Sequence, residues 1–195
     1  MERPIQMKSS AKYWALTVTV AVFLFLLNGV KVQDIVATAF GYRGAVPMFA
    51  LDKMLFGYSP AQAYNVITAY GPTGRRAYAT LLLTLDMLFP FLYGSFLFLS
   101  LRSVSLGAGF SKRWAGWLGG MGFAAAGCDC LENVCFLSLM AVFPGQSVPV
   151  ARAASFFTVT KFLLSGISVV ALLVVGIYVL YRMLRRSPQA HSVQA

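Results

Sequence analysis

Four long intervals of this 195-residue sequence are almost free of charge, and they constrain the fold more than any other feature. No charged residue lies between Lys12 and Lys31, and each of the other three intervals contains only one or two. An α-helix of roughly 20 mostly apolar residues crosses the hydrocarbon core of a bilayer. We therefore expect four transmembrane helices, near residues 13–32, 77–101, 114–141 and 152–181.

The composition agrees with membrane insertion. Hydrophobic residues make up 58% of the chain and charged residues 11%, against about 25% charged residues in a typical soluble domain. The net charge of +10 does not indicate nucleic-acid binding, because the basic residues cluster between the apolar intervals. The predicted fold is all-α: a polytopic membrane protein whose single domain, residues 1–186, is a four-transmembrane-helix bundle. A polar cytoplasmic tail at 187–195 is expected to be disordered.

Basic and aromatic residues at the helix ends indicate the orientation. By the positive-inside rule, the ends that carry most of the Lys and Arg residues are cytoplasmic. Trp14, Trp114 and Trp117 lie at the same ends, as expected for interfacial anchors. Both termini are therefore predicted to be cytoplasmic, in a multi-pass protein of a plasma or inner membrane. The basic residues at these ends are Arg3, Lys8, Lys12, Arg102, Lys112, Arg113, Arg182, Arg185 and Arg186.

The connection over residues 33–76 follows the first predicted helix on the outer side and is too long for a simple turn. Within it, Ser59 and Pro60 are typical of a helix start and Gly71 of a helix stop. This pattern predicts a short helix over 61–70, and its apolar and aromatic residues favour a position on the membrane surface. The segment 36–58 has no firm periodicity that predicts a helix or a strand.

Ionisable residues within the predicted spans are the strongest functional candidates. Three of the six acidic residues in the chain lie there, together with Lys161. A charge in the hydrocarbon core is costly unless it is paired, so such residues need a partner or a function. Counting residues from the outer boundary brings the acidic residues and Lys161 to similar depths. The predicted ligand-binding residues are Asp86, Tyr93, Asp129, Glu132, Asn133 and Lys161, and the candidates for a catalytic acid or base are Glu132 and Asp129.

Helical periodicity places the polar residues of the third span on one side of that helix. Small residues on the same stripe allow a neighbouring helix to approach closely. In the second span Pro90 removes a backbone donor, which leaves a carbonyl near residue 86 unpaired. The alternative interpretation of the cluster is a fully paired network that only fixes the helix register. The stripe consists of Gly122, Ala125, Ala126, Asp129, Glu132, Asn133 and Phe136.

Metal and cofactor motifs are not evident in the sequence. The only histidine, His191, is in the polar tail. Cys128, Cys130 and Cys135 share one apolar interval, where free thiols pack as small hydrophobic groups. The spacing of the first two does not match a redox pair. We expect no metal, no cofactor and no disulfide framework.

Two adjacent arginines lie just outside the second predicted span. Arg75 and Arg76 follow Tyr70-Gly71-Pro72, and their guanidinium groups are candidates for binding a lipid phosphate. The alternative is an ordinary interfacial anchor for the end of the helix. The expected partners are membrane lipids, a lipophilic small molecule and, by self-association, further copies of the chain. Nucleic acid is not an expected partner.

An ordered set of residues resembles the pattern of a group of uncharacterised four-helix membrane proteins. That resemblance implies the fold but no activity. The long outer loop and the acidic residues in later helices are also similar in layout to sterol-isomerase and sigma-2-receptor-like membrane proteins, whose residue motifs are not evident here. The pattern consists of Tyr70-Gly71, Gly74-Arg75, Tyr78, Asp86, Pro90, Tyr93 and Asp129-Cys130-Leu131-Glu132-Asn133.

Three functions are compatible with these features. The first is binding or movement of an amphipathic, lipid-like or cationic small molecule, whose polar head pairs with the buried acidic residues. The second is an intramembrane isomerase or hydrolase acting on a lipid, with Glu132 or Asp129 as general acid or base. The third is a non-catalytic structural or assembly subunit with a fully paired polar network. The first is the function that we expect.

Overall fold

The structure is a computed structural model, and it describes residues 38–39, 41–44 and 50–186. The predicted helix at 13–32 and the predicted tail at 187–195 lie outside these residues. The regular secondary structure of the described residues is helical, with no strand among them. The four main helices are α1 (Pro60–Ala69), α2 (Gly71–Gly107), α3 (Lys112–Val142) and α4 (Val148–Arg186).

Three of these helices are long and apolar enough to cross a membrane, namely α2, α3 and α4. Each of them contains one of the predicted spans and extends beyond it at both ends. They form a single bundle in which α3 packs against both α2 and α4. The described chain is therefore an all-helical protein with three candidate membrane spans.

The short helix α1 begins and ends close to the predicted residues. The Ser59 hydroxyl accepts a hydrogen bond from the backbone N–H of Gln62 at 3.2 Å, and the Gln62 side chain accepts one from the backbone N–H of Ser59 at 2.8 Å. This reciprocal pair is a capping box, which satisfies two N–H groups at the helix start. Gly71, at φ +62°, then turns the chain directly into α2. The location of α1 on a membrane surface stays a prediction.

One end of the bundle holds a compact apolar core that fixes α1 and the preceding loop. Buried residues of α1, such as Tyr64 and Ile67, share this core with Phe136 of α3 and Ala154 of α4. Leu51, which is 1% exposed, anchors the loop in the same core. The loop of residues 50–59 is thus held against the three long helices at this end.

Small residues bring α2 and α3 into close contact. A Cβ atom added at Gly119 would lie 2.8 Å from the backbone oxygen of Phe98, and one added at Gly122 would lie 2.6 Å from the Cβ atom of Leu97. Real Cβ atoms do not approach other atoms so closely, so these positions require glycine. The whole predicted stripe on α3, from Gly122 to Phe136, is buried in the structure. Small residues are the usual means of close helix packing in a membrane.

We expect Gly119→Ala to destabilise the bundle, because the added methyl group would force α3 away from the backbone of α2. Overpacking of this kind costs about 1–3 kcal/mol of unfolding free energy. The matched control is Gly120→Ala, on the same helix, where an added Cβ has no neighbouring atom within 4 Å. Thermal unfolding of the detergent-purified variants measures the difference. Equal unfolding midpoints for the two variants would contradict the close packing.

Candidate ion-paired site

A single buried lysine lies at the centre of the candidate site. The Lys161 Nζ atom is 2.9 Å from Oδ1 of Asp129 and 2.6 Å from Oε2 of Glu132, and it also forms an ion pair with Asp52. Lys161 is 6% exposed and Glu132 is 0% exposed. With all groups ionised, three carboxylates and one ammonium group carry a formal charge of −3 + 1 = −2. We call these four residues the Lys161 cluster.

Sequence reasoning identified three members of the Lys161 cluster and missed the fourth. Asp129 and Glu132 are one helical turn apart on α3, and Lys161 faces them from α4, as their depths predicted. Asp52 comes from the segment 36–58, to which the sequence assigned no structure. Its side chain is 25% exposed, which makes it the most accessible carboxylate of the cluster. No periodicity or motif around Asp52 signals this contact.

The loop that supplies Asp52 is fixed to α4 by backbone contacts. The backbone N–H of Tyr58 donates a hydrogen bond to the Ser155 hydroxyl at 2.9 Å. Gly57 adopts φ +82°, and a Cβ atom there would lie 2.8 Å from the same hydroxyl oxygen. A side chain at position 57 is therefore disfavoured both by the backbone conformation and by the close approach of α4. These contacts hold the loop over one side of the Lys161 cluster.

Thr158 connects Glu132 to the loop through its hydroxyl group. Its Oγ1 atom donates to Oε1 of Glu132 at 2.6 Å, and it lies 3.4 Å from the Tyr58 hydroxyl and 3.0 Å from the backbone oxygen of Ala154. Burial raises the pKa of Tyr58 above its usual value, so this phenol stays neutral. The other Glu132 oxygen, Oε2, contacts Lys161 but has no hydrogen bond of good geometry among the described residues.

Asn133 replaces the backbone hydrogen bond that Pro90 removes. Pro90 lies inside α2, four residues after Asp86, and has no N–H to donate to the Asp86 carbonyl. The Asn133 Nδ2 atom donates to that carbonyl oxygen at 3.1 Å. The residues just before Pro90, Leu82–Asp86, form a π-helical segment. The unpaired carbonyl that the sequence predicted near residue 86 is therefore present, and a side chain from α3 satisfies it.

Two predicted ligand-binding residues lie beside the Lys161 cluster without contacting the ammonium group. The Tyr93 side chain interacts with the Asp129 carboxylate. Oδ2 of Asp86 is buried and has no hydrogen-bond partner among the described residues. Asp86 therefore adds a further acidic group next to the cluster. Its predicted role in ligand binding stays a prediction.

The two arginines predicted to bind a headgroup have different environments. Arg75 is partly buried, donates a hydrogen bond to the Ile67 carbonyl at 3.3 Å and lies over the Phe143 ring at 4.1 Å. Arg76 is exposed. Consecutive helical residues point about 100° apart, so the two side chains do not form one fork-shaped site. Arg75 joins the end of α1 to the end of α3, and headgroup binding at Arg76 stays a prediction.

Carboxylate oxygens of Asp52, Asp129 and Glu132 lie within 4.8 Å of one another, a spacing that could also hold a metal ion. The Lys161 ammonium group, however, already contacts all three residues. A divalent cation would be repelled by this group at such short range. The three cysteines of α3 are free and partly exposed. The donor set is therefore better suited to a proton or to a singly charged cation.

Comparisons of the chain with protein-family models, with curated proteins and with solved structures found no match. The resemblance to uncharacterised four-helix membrane proteins stays a prediction. The function of the chain has to be inferred from the chemistry of the Lys161 cluster.

Asn133→Leu should destabilise the protein by about 1–3 kcal/mol, because it leaves the Asp86 carbonyl buried without a donor. In a Pro90→Ala background the cost should fall by about 1 kcal/mol, since residue 90 regains an N–H that can bond to that carbonyl. Unfolding free energies of the wild type, both single variants and the double variant form the required cycle. If the losses of unfolding free energy in the two single variants add up to the loss in the double variant, Asn133 acts through packing alone.

Lys161→Met should reduce the unfolding free energy by about 3–5 kcal/mol, because it leaves three carboxylates facing one another in a buried space. Adding Asp129→Asn to this variant should recover part of the loss, since one uncompensated charge is removed. Lys53→Met is the matched control, because Lys53 is exposed and adjacent to Asp52 in the same loop. Thermal unfolding at constant pH measures all three. If Lys53→Met lost as much unfolding free energy as Lys161→Met, the assignment of Lys161 as the centre of the ion-paired cluster would be contradicted.

Proposed function

We propose that this protein binds an amphipathic small molecule with a cationic head group and moves it within the membrane. The observation that carries this proposal is the excess of acidic groups in the Lys161 cluster, where three carboxylates meet one ammonium group. The head group pairs with the carboxylates, and apolar and aromatic walls of the bundle receive the rest of the molecule. We expect no catalytic step.

The charge of the cluster favours a cation over any other ligand. A buried formal charge of −2 is costly in a medium of low dielectric constant, and a bound cation lowers that cost. Asp86 adds further negative potential from α2. An anionic ligand would meet only Lys161, which is already paired with three carboxylates. Electrostatic complementarity therefore selects a positively charged head group.

The position of the cluster favours a ligand that is soluble in lipid. Asp129, Glu132 and Lys161 belong to helices that are long and apolar enough to span the membrane. Aromatic rings pack beside the cluster, where Tyr58 stacks on Phe136 with ring centroids 6.2 Å apart. Asp52, the most exposed acidic group of the cluster, marks the side from which a head group enters. A molecule with a charged head and an apolar body fits these surroundings.

The organisation that accompanies this function is a bundle of four spans, with residues 13–32 as the additional helix and both termini in the cytoplasm. The charge-free interval between Lys12 and Lys31 supports the additional span. Only 6% of the most apolar window of α4 is buried, against 33% and 39% in α2 and α3. The surface of α4 thus has room for another helix or for lipid. An interfacial position for α1 belongs to the same proposal.

A structural role is the second candidate, and the pairing of Lys161 favours it. Its ammonium group contacts as many acidic side chains as it has N–H donors, so the network needs no ligand to satisfy the lysine. Under this alternative the cluster ties α3, α4 and the loop together and binds nothing. The two candidates differ in whether a cationic amphiphile stabilises the folded protein.

The decisive experiment compares three amphiphiles that share one alkyl chain and differ in the head group: a quaternary ammonium, a carboxylate and an alcohol. Each is added to the detergent-purified protein below its own micelle-forming concentration, and thermal unfolding is recorded. We expect only the ammonium compound to stabilise the wild type, by about 3 kcal/mol at 100 times its Kd. Asp129→Asn should weaken this effect, because it removes a charge that the head group contacts.

Lys53→Met again provides the control, because it changes one charge in the loop without touching the Lys161 cluster. It should retain the stabilisation by the ammonium compound. Equal stabilisation by all three amphiphiles would indicate non-specific insertion of the alkyl chain. No stabilisation of the wild type by the ammonium compound, together with collapse of Asp129→Asn, would establish the structural role instead.

A further inference from the structure

An apolar groove lies on the exposed side of α4. Residues 162–175 of that helix line it over about 20 Å at the helical rise, together with Leu118 of α3 and Phe110 of the connection before α3. Its volume is about 620 Å³, and its lining is almost entirely apolar. Of the three candidate spans, α4 buries the smallest share of its most apolar window. We call this surface the α4 groove.

The apolar segment that precedes the described residues is long enough to cover the α4 groove. No charged residue lies between Lys12 and Lys31. A helix over residues 13–32 would extend about 30 Å, which exceeds the length of the groove and equals the thickness of the hydrocarbon core. The segment therefore has the length and the hydrophobicity that the groove requires.

The end of this segment is tethered to one end of the bundle. Tyr42 is buried in the core that holds α1, and its ring lies edge-on to that of Tyr70, with centroids 5.9 Å apart. The nine residues 33–41 are too few to cross the membrane as a helix, which needs about 20 residues. A transmembrane helix over 13–32 therefore ends on the side of α1 and begins on the side of Phe110, antiparallel to α4.

We propose that residues 13–32 form a helix that packs into the α4 groove. This inference rests on the fourth span of the proposed organisation and adds its location. The short connection keeps the segment at an effective concentration of about millimolar near the groove, an advantage that a helix from a second copy of the chain lacks. Gly166 and Ala171 line the groove. Small residues of this kind allow two helices to approach closely in a membrane, which favours a helix over lipid chains.

The α4 groove begins beside the Lys161 cluster. Phe162 lines the groove, and its ring centroid lies 5.5 Å from the Nζ atom of Lys161. A helix in the groove covers this ring, so lipid chains do not reach the cluster from that side. Access to the cluster is then left to the loop, where Asp52 is the most exposed carboxylate.

The first test is disulfide cross-linking of the full-length protein in native membranes, in a background where alanine replaces the three native cysteines. Ala171→Cys places one thiol in the groove, eleven residues before Arg182. Lys12 and Arg182 flank spans on the same predicted side, so partner cysteines are introduced singly over residues 20–27, around eleven residues after Lys12. We expect cross-links within one chain at every third or fourth of these positions, the period of one helix face.

Leu173→Cys is the matched control for Ala171→Cys, because Leu173 is exposed on the same helix but does not line the groove. It should not cross-link to residues 20–27. Equal cross-linking of the two reporters would contradict a location in the groove. Cross-links that form only between chains would assign the groove to a second copy of the protein.

A second measurement separates the location of the helix from its existence. Lys12→Cys and Lys31→Cys are labelled, one at a time, with a membrane-impermeant maleimide from each side of sealed vesicles. We expect them to react from opposite sides. Labelling from opposite sides without cross-links to Ala171→Cys would overturn the location and leave the fourth span intact. Labelling of both positions from the same side would overturn the span and the location together.

A third measurement keeps the native cysteines and compares Gly166→Leu with Gly176→Leu. Both glycines belong to α4, and an added Cβ atom at either has no neighbour within 4 Å among the described residues, but only Gly166 lines the groove. Gly166→Leu should lower the thermal unfolding midpoint by several degrees relative to Gly176→Leu, because the larger side chain pushes the packed helix away. Equal midpoints would indicate that lipid or detergent alone covers the groove, which would overturn the proposal.

Discussion

The ion pairs of Lys161 are the interaction on which the rest of the site depends. An ammonium group among apolar helices is stable only when acidic groups surround it, and these groups come from α3 and from the loop before α1. Positions 52, 129 and 161 are far apart in the sequence, so the cluster fixes the relative position of elements that share few other polar contacts. The same requirement holds the loop against the bundle and gives Asp52 its location.

Backbone groups obey the same rule as charged side chains, since a carbonyl without a donor is costly in a lipid environment. Pro90 creates such a carbonyl at Asp86, and Asn133 from α3 satisfies it. Asn133 follows Glu132 directly, so the helix face that supplies the acidic groups also repairs the backbone of α2. The polar stripe of α3 thus faces two neighbours, with ion pairs toward α4 and a hydrogen bond toward α2. Close packing at Gly119 and Gly122 makes the second contact possible.

The sequence predicted those parts of the structure that depend on local rules. Charge-poor intervals located α2, α3 and α4, the capping residues around Ser59 located α1, and helical periodicity identified the buried stripe of α3. Depth within the spans was enough to bring Asp129 and Glu132 together with Lys161. Asp52 could not be predicted, because its contact depends on the tertiary path of a loop without periodicity. The environment of Arg75 was missed for a similar reason, since Phe143 and Ile67 approach it only after folding.

Under the proposed function, the presence of Lys161 limits how tightly the site would hold a cation. An incoming head group shares the carboxylates with an ammonium group that is covalently attached and always present, so it gains less than it would in a purely acidic site. The internal cation also keeps the cluster partly compensated when no ligand is bound, which limits the electrostatic cost of the empty state. Both effects reduce the free-energy difference between the empty and occupied states. A small difference favours rapid exchange, which agrees better with the proposed transfer of a ligand than with its storage.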